Sequence, residues 1–321
     1  MSTGWLIHNP AAGRFPSGPF LSRAVDVLTR AGWTIRVEEC GPGQDLAERA
    51  AEAVAAGCEA VFVAGGDGSV GRVAGALAGT PTALGVLPAG TANVWAQQFN
   101  LPRLGWTSPF ALEEAAARLA RGRVRLVDIG TCNGQPFLMW AGVGLDAQVV
   151  NSIEPRERWE KVLATIHYAV QTVWTAWNWT GIPVRVSANN QVWEDRFLVA
   201  VATNIRSYAG GLLELSPAAK VDDGLLDFWL IGGTSLSDAV LRVAQVLTGR
   251  HVDASGVAHF QAEEALFDLP ADTALHLDGE PGKIQPPAHL RVQKRVLRVL
   301  VPSGTRPFLF SEPDSAAAEV G

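Results

Sequence analysis

The sequence predicts an α/β fold: a doubly wound, mostly parallel sheet in an N-terminal domain, followed by a β-rich, antiparallel, sandwich-like domain. Two observations predict it. In the first third of the chain, short apolar runs alternate with segments whose apolar residues recur at helical spacing. Repeated βα units of that kind imply a parallel sheet covered by helices on both faces. Beyond about Asp128 the pattern changes to short extended runs bounded by Gly, Pro, Asn or Asp.

In order, Trp5 to Ile7 reads as extended, and Leu21, Ala24, Val25 and Leu28 as a helix face. Thr34 to Val37 is extended again, and Ala47, Ala50, Ala51 and Val54 mark a second helix. Val61 to Ala64 is a buried strand, Val70 to Leu77 a helix, Ala83 to Leu87 a strand, and Pro109 to Arg121 a helix leading into extended Val124 to Ile129. Later strands are Val184 to Val186, Phe197 to Ala202, Leu225 to Ile231, Thr273 to Leu277 and Val296 to Val301, with one helix near Ser237 to Leu247. The expected boundaries are 1–127, 128–303 and a tail, 304–321, that could return to the first domain.

The 321 residues suit two domains, and 48% apolar with 18% charged residues is a globular composition. A net charge of -6 argues against a nucleic-acid partner, which needs a basic face. Three cysteines, Cys40, Cys58 and Cys132, without paired metal spacing support neither a disulfide framework nor a zinc site, so a reducing, cytoplasmic compartment is expected. The N-terminus lacks the charged and apolar regions of an export signal. Val162 to Trp179 carries no Asp, Glu, Lys or Arg, but its His, Asn, Gln and Thr residues make it too polar for a span.

Three glycine-bearing loops follow three apolar strands: Asn9, Pro10, Ala11, Ala12 and Gly13; then Gly65, Gly66, Asp67, Gly68 and Ser69; then Pro88 to Asn93. A doubly wound sheet binds ligands at the carboxyl ends of its strands. Glycines let the backbone approach a phosphate, and each following helix adds its positive end. Asp67 would supply the carboxylate that serves Mg²⁺ beside phosphates. One such loop alone is more often a tight connection, whereas three in sequence point to a nucleotide.

On these motifs, together with VDIG at Val127 to Gly130, DDGLLD at Asp222 to Asp227 and DGE at Asp278 to Glu280, the chain resembles the bacterial diacylglycerol and lipid kinases related to sphingosine kinases. The resemblance spans nearly the whole chain and implies an ATP-binding domain joined to a β-rich lipid domain. It implies that Asn9 to Gly13, Arg14, Gly65 to Gly71 (with Val70 and Gly71 in the helix), Thr91 and Asn93 contact the nucleotide. It further implies that Asp67 and Asp128 belong to an acidic active-site network, that Glu280 is the general base, and that Asp223 and the Leu225 carbonyl hold a structural Mg²⁺. The implied cofactors are ATP and Mg²⁺. The implied partner is a lipid presented at a membrane surface, at the inner face, with a homodimer left open.

The chain departs from the pattern in four places. Lys220 stands where a third metal ligand falls, and an ammonium cannot ligate a cation. Val94 follows Asn93 where many relatives carry an acid. Arg14 replaces a lysine, and Gly71 an asparagine. Trp159, Trp174, Trp177 and Trp179, opened by Arg156, Arg158 and Lys161, read either as a packed helix or as an interfacial surface. The competing functions are an NAD kinase-like or other small-molecule kinase, and a catalytically silent lipid- or nucleotide-binding protein.

Overall fold

The computed structural model describes residues 2–13, 15–41, 43–105, 107–144, 181–282 and 284–311. Arg14 and the tryptophan-rich segment with Trp159, Trp174, Trp177 and Trp179 lie outside them. The chain forms two units. Residues 1–129, 220–223 and 294–321 make the first, and 130–219 with 224–293 the second. The expected boundaries, 127/128 and 303/304, thus differ from these. Return to the first unit begins at Lys294, inside a long strand, and the short strip 220–223 also belongs there.

In the first unit the elements alternate: β1 (Ser2–His8), α1 (Gly18–Arg30), β2 (Trp33–Glu39), α2 (Leu46–Ala55), β3 (Ala60–Gly65), α3 (Asp67–Leu77) and β4 (Ala83–Pro88). A short α4 (Val94–Gln98) and α5 (Ala111–Ala120) follow, before β5 (Arg123–Cys132). The sheet runs β2-β1-β3-β4, all parallel, and the end of β17 (Ala288–Val301) extends it at Val299 opposite Leu84. Strands β3 and β4 are buried at every residue, because helices cover both faces of a parallel sheet. Helix α2 begins where the Asp45 side chain accepts the Ala47 N–H, satisfying one of the first-turn donors.

The second unit is antiparallel. It contains β6 (Gln135–Phe137), β7 (Trp140–Gly144), β8 (Ile182–Ala188), β9 (Gln191–Thr203), β10 (Ser207–Tyr208) and β11 (Leu213–Glu214). After β12 (Leu226–Gly232) and α6 (Leu236–Leu247) come β13 (Val257–Ala262), β14 (Glu264–Asp268), β15 (Leu275–Leu277) and β16 (Glu280–Pro281). Long β9 pairs with β7, β8 and β12. Its inward residues pack with Val186, Phe228, Phe267 and Leu290 into one core. Helix α6 starts on a capping box in which the Ser235 and Asp238 side chains each bond the other's backbone. Among the described residues, no helix is long and apolar enough to cross a membrane.

Candidate active site

The three loops predicted from the sequence emerge at the carboxyl ends of β1, β3 and β4, adjacent strands of the parallel sheet. Asn9 continues β1: its N–H donates to the Ala64 carbonyl (3.0 Å), and its Oδ1 accepts the Ala11 N–H (3.0 Å), closing a turn with Pro10 inside it. Its Nδ2 donates to Ser69 Oγ (2.9 Å), tying the first loop to the second. Ala12 is buried, and Gly13 sits at φ 72° against the third loop. A Cβ on Gly13 would lie 2.2 Å from the Ala89 carbonyl oxygen, so only glycine fits.

The second and third loops meet backbone to backbone. A Cβ on Gly90 would stand 2.3 Å from the Gly66 Cα. Gly65 ends β3, and a Cβ there would meet the Ser69 side chain at 2.7 Å. Gly66 is the N-cap of α3 and offers no capping side chain, so the N-terminus of this helix, with Asp67, Gly68, Ser69, Val70 and Gly71 in its first turns, presents N–H groups suited to an anion. In the third loop Thr91 is exposed, while Asn93 is buried in a left-handed conformation (φ 54°, ψ 48°). The Asn93 side chain accepts the Gly90 N–H (3.0 Å) and donates to its carbonyl (2.8 Å), clamping the turn shut.

Asp67 joins the same knot of loops. Its Oδ1 accepts the Trp95 N–H (3.2 Å), and the Asn93 and Val94 backbone N–H groups also bond it, so Asp67 caps α4 across the loops. Burial pushes its carboxyl above the ordinary aspartate range, and these backbone bonds oppose that shift. Val94 is buried and bonded to Asp67 through its backbone, so the acid absent from its side chain leaves Asp67 as the loop carboxylate. A single carboxylate beside phosphates is enough for Mg²⁺, which keeps waters and takes its other ligands from substrate. Residues and ion therefore fit.

Asp128 is fully buried in β5, and its Oδ1 accepts the Arg295 N–H (2.6 Å). Asp223 lies in the 220–223 strip of the first unit, and Leu225 in the second unit. Among the described residues, no group of three or more His, Cys, Asp or Glu stands close enough together to hold a metal.

DGE is a two-residue hairpin: Leu277 pairs with Glu280, and Asp278 (φ 52°) and Gly279 (φ 80°) make the turn. Asp278 is the residue whose part sequence reasoning missed. Its carboxylate accepts the N–H groups of Leu138 (2.7 Å), Met139 (2.8 Å) and Trp140 (3.1 Å), and its own N–H donates to the Trp140 carbonyl (2.9 Å). Asp278 therefore pins the hairpin, and half-buried Glu280 is presented on a fixed backbone. The DGE triplet shows only a turn; its anchor is some 140 residues away and leaves no local signal.

The model of the diacylglycerol kinase catalytic domain matches residues 3–132, and that of the YegS C-terminal NAD kinase beta sandwich-like domain matches residues 140–301. The chain is 24% identical over 299 residues to the diacylglycerol kinase of Bacillus subtilis (strain 168), covering 92% of this chain and 95% of that one. It is 30% identical over 283 residues to a Chromohalobacter salexigens protein named "Probable lipid kinase YegS-like", covering 86% of each. A crystal structure of a diacylglycerol kinase from Bacillus anthracis str. Sterne superposes with a TM-score of 0.72 at 21% identity, over 95% of this chain and 98% of that one, a likeness of fold.

Proposed function

The chain belongs to the bacterial diacylglycerol and lipid kinase family and is a lipid kinase, and we propose that it transfers the γ-phosphoryl group of ATP to the hydroxyl of a diacylglycerol-like lipid. The observation that carries the donor half is the interlocking of three phosphate-type loops at adjacent strand ends, with α3 left uncapped by any side chain. Asn9 to Gly13, Gly65 to Gly71, Thr91 and Asn93 would cradle the phosphates with backbone N–H groups, and Asp67 would hold Mg²⁺. When bound, Mg²⁺ neutralises charge on the transferring group. Little covalent chemistry then remains for the protein beyond positioning and one proton transfer.

Glu280 takes that proton. A lipid hydroxyl is a poor nucleophile, and a carboxylate on a pinned hairpin can accept its proton as the oxygen attacks phosphorus. The acceptor class is supported by the named relatives and by α6, which leaves Val240, Leu241, Val243 and Leu247 exposed while Arg242, within the same run, is bonded back to the Gly232 and Ser255 carbonyls. The reading implies an enzyme that meets its substrate at a lipid surface.

The test is incubation of purified protein with labelled ATP, Mg²⁺ and mixed micelles offering diacylglycerol, monoacylglycerol or a sphingoid base, with NAD as a soluble alternative acceptor. Label in diacylglycerol is expected, and Glu280→Gln should reduce it by roughly 10² to 10⁴ while nucleotide binding persists. Label in NAD alone, or wild-type turnover in Glu280→Gln, would refute the proposal.

A further inference from the structure

The chain passes between its two units four times, after residues 129, 219, 223 and 293. On the first unit's side, each passage adjoins a member of one hydrogen-bonded group. Asp128 precedes the first passage, Val221 and Asp222 lie between the second and third, and Arg295 follows the fourth. The Asp128 N–H donates to the Val221 carbonyl (2.7 Å), and its carboxylate accepts the Arg295 N–H (2.6 Å). Arg295 Nε donates to the Asp222 carbonyl (3.1 Å), and its Nη2 to Ser311 Oγ (3.1 Å).

The end of the described chain closes the group. The Ser311 N–H donates to Asp222 Oδ1 (2.5 Å), and the Val221 N–H to the Leu309 carbonyl (2.9 Å). Arg125 stands 3.7 Å from Asp222 Oδ2 and over the Phe310 ring at 4.3 Å. Asp128 is 0% and Asp222 4% exposed, a costly placement for carboxylates that is sustained only by such partners. Arg295 is held at φ 50°, a conformation that an L side chain adopts at a cost and that its surroundings must impose.

We propose that this group positions the phosphoryl transfer: within the first unit it laces together the segments that adjoin every passage of the chain. Asp222, Arg295 and Ser311 are then positioning residues that touch no reacting atom. The proposal rests on the lipid-kinase reading, in which the first unit's loops hold the donor and Glu280 of the second unit is the base. The loops are built by other residues, so loosening the group should impair transfer without impairing nucleotide binding.

Three variants test this. Arg295→Gly accepts the left-handed backbone but loses the guanidinium; Asp222→Ala removes the acceptor; Asp222→Asn keeps an oxygen for the Ser311 N–H. Expected are wild-type Mg·ATP affinity in all three, a kcat for diacylglycerol phosphorylation reduced tenfold or more in the first two, and recovery to within a few fold in Asp222→Asn. Amide hydrogen exchange should quicken together at 220–223 and 307–311 in Arg295→Gly, with the loops at 9–13, 65–69 and 88–93 unchanged. Wild-type kcat in both disruptive variants, loss of Mg·ATP affinity in step with rate, or no rescue by Asp222→Asn would overturn the proposal. Failure of the lipid-kinase reading looks different, because the wild-type protein itself would then label no lipid. The exchange result decides in that case: unlinked changes in the two segments overturn the lacing, and linked changes support it.

Discussion

Replacing Asp278 tests whether the DGE hairpin is held from outside itself. Its carboxylate accepts three backbone N–H groups, at 2.7, 2.8 and 3.1 Å, from the run Leu138 to Trp140. Leu138 and Met139 are 0% and 1% exposed, so water can replace little of what Asp278→Ala removes. A hydrogen bond to a charged group contributes about 1.5–3 kcal/mol, and an orphaned buried donor costs about 1–3 kcal/mol. The three bonds share one carboxylate and will not sum, so a loss of about 4 kcal/mol is expected. At about 2–4 °C per kcal/mol for a unit of this size, the melting temperature should fall by roughly 8–16 °C. Asp278→Asn keeps an oxygen for Met139 and Trp140 but turns an NH₂ toward the Leu138 N–H, and should cost about half as much. Thermal unfolding followed by circular dichroism, with lipid phosphorylation measured below the transition, reads both effects. Transfer should fall in both Asp278 variants because Glu280 loses its fixed backbone, whereas Glu280→Gln should lose rate with its melting temperature unchanged. A wild-type melting temperature for Asp278→Ala would refute the reasoning.

Gly90→Ala places a Cβ 2.3 Å from the Gly66 Cα, and by separating two phosphate loops should weaken Mg·ATP binding by roughly tenfold or more with the far-ultraviolet spectrum unchanged; unaltered affinity in a calorimetric titration would count against the cradle. Burial raises the Asp67 pKa in the folded state, so the folded form holds that proton more tightly, and the group favours folding as pH falls through the raised value and opposes folding above it. Asp67→Asn should accordingly gain melting temperature relative to wild type as pH rises, while losing Mg²⁺-dependent turnover; a gain on acidification instead would reverse the assignment. All three cysteines are free and buried, with Cys132 pushed up to about 12 and Cys40 and Cys58 also raised by burial. A thiol reagent at mild alkaline pH should therefore titrate none in the native protein and all three after denaturation.

The fold of the first unit was legible because its signals are local. Apolar strands such as Val61 to Ala64 and helix faces such as Leu21, Ala24 and Leu28 are written at periods of neighbouring residues, and both sets are buried where that reading places them. The three loops were legible for the same reason, since Gly13, Gly65 and Gly90, one in each loop, stand where a Cβ would come within 2.2, 2.7 and 2.3 Å of a neighbouring atom. The capping role of Asp67 was not legible: a carboxylate in such a loop suggests a metal, and nothing local announces that it caps α4, 28 residues on.

By itself, then, the sequence determined the alternation of strands and helices in the first unit, the glycine loops at strand ends and the turn at Asp278-Gly279, all of which depend on backbone preferences within a few residues; in the second unit it left strands such as Trp140–Gly144 and Val257–Ala262 unread. Tertiary structure alone decided which distant groups complete them. The Asp278 carboxylate finds its donors at Leu138 to Trp140, Asp128 meets an N–H at Arg295, and Asp222, rather than the neighbouring Asp223, accepts from Ser311. Such pairings have no local signature, because a buried carboxylate is satisfied by whatever donors the folded chain brings within reach, and sequence separation does not enter that geometry.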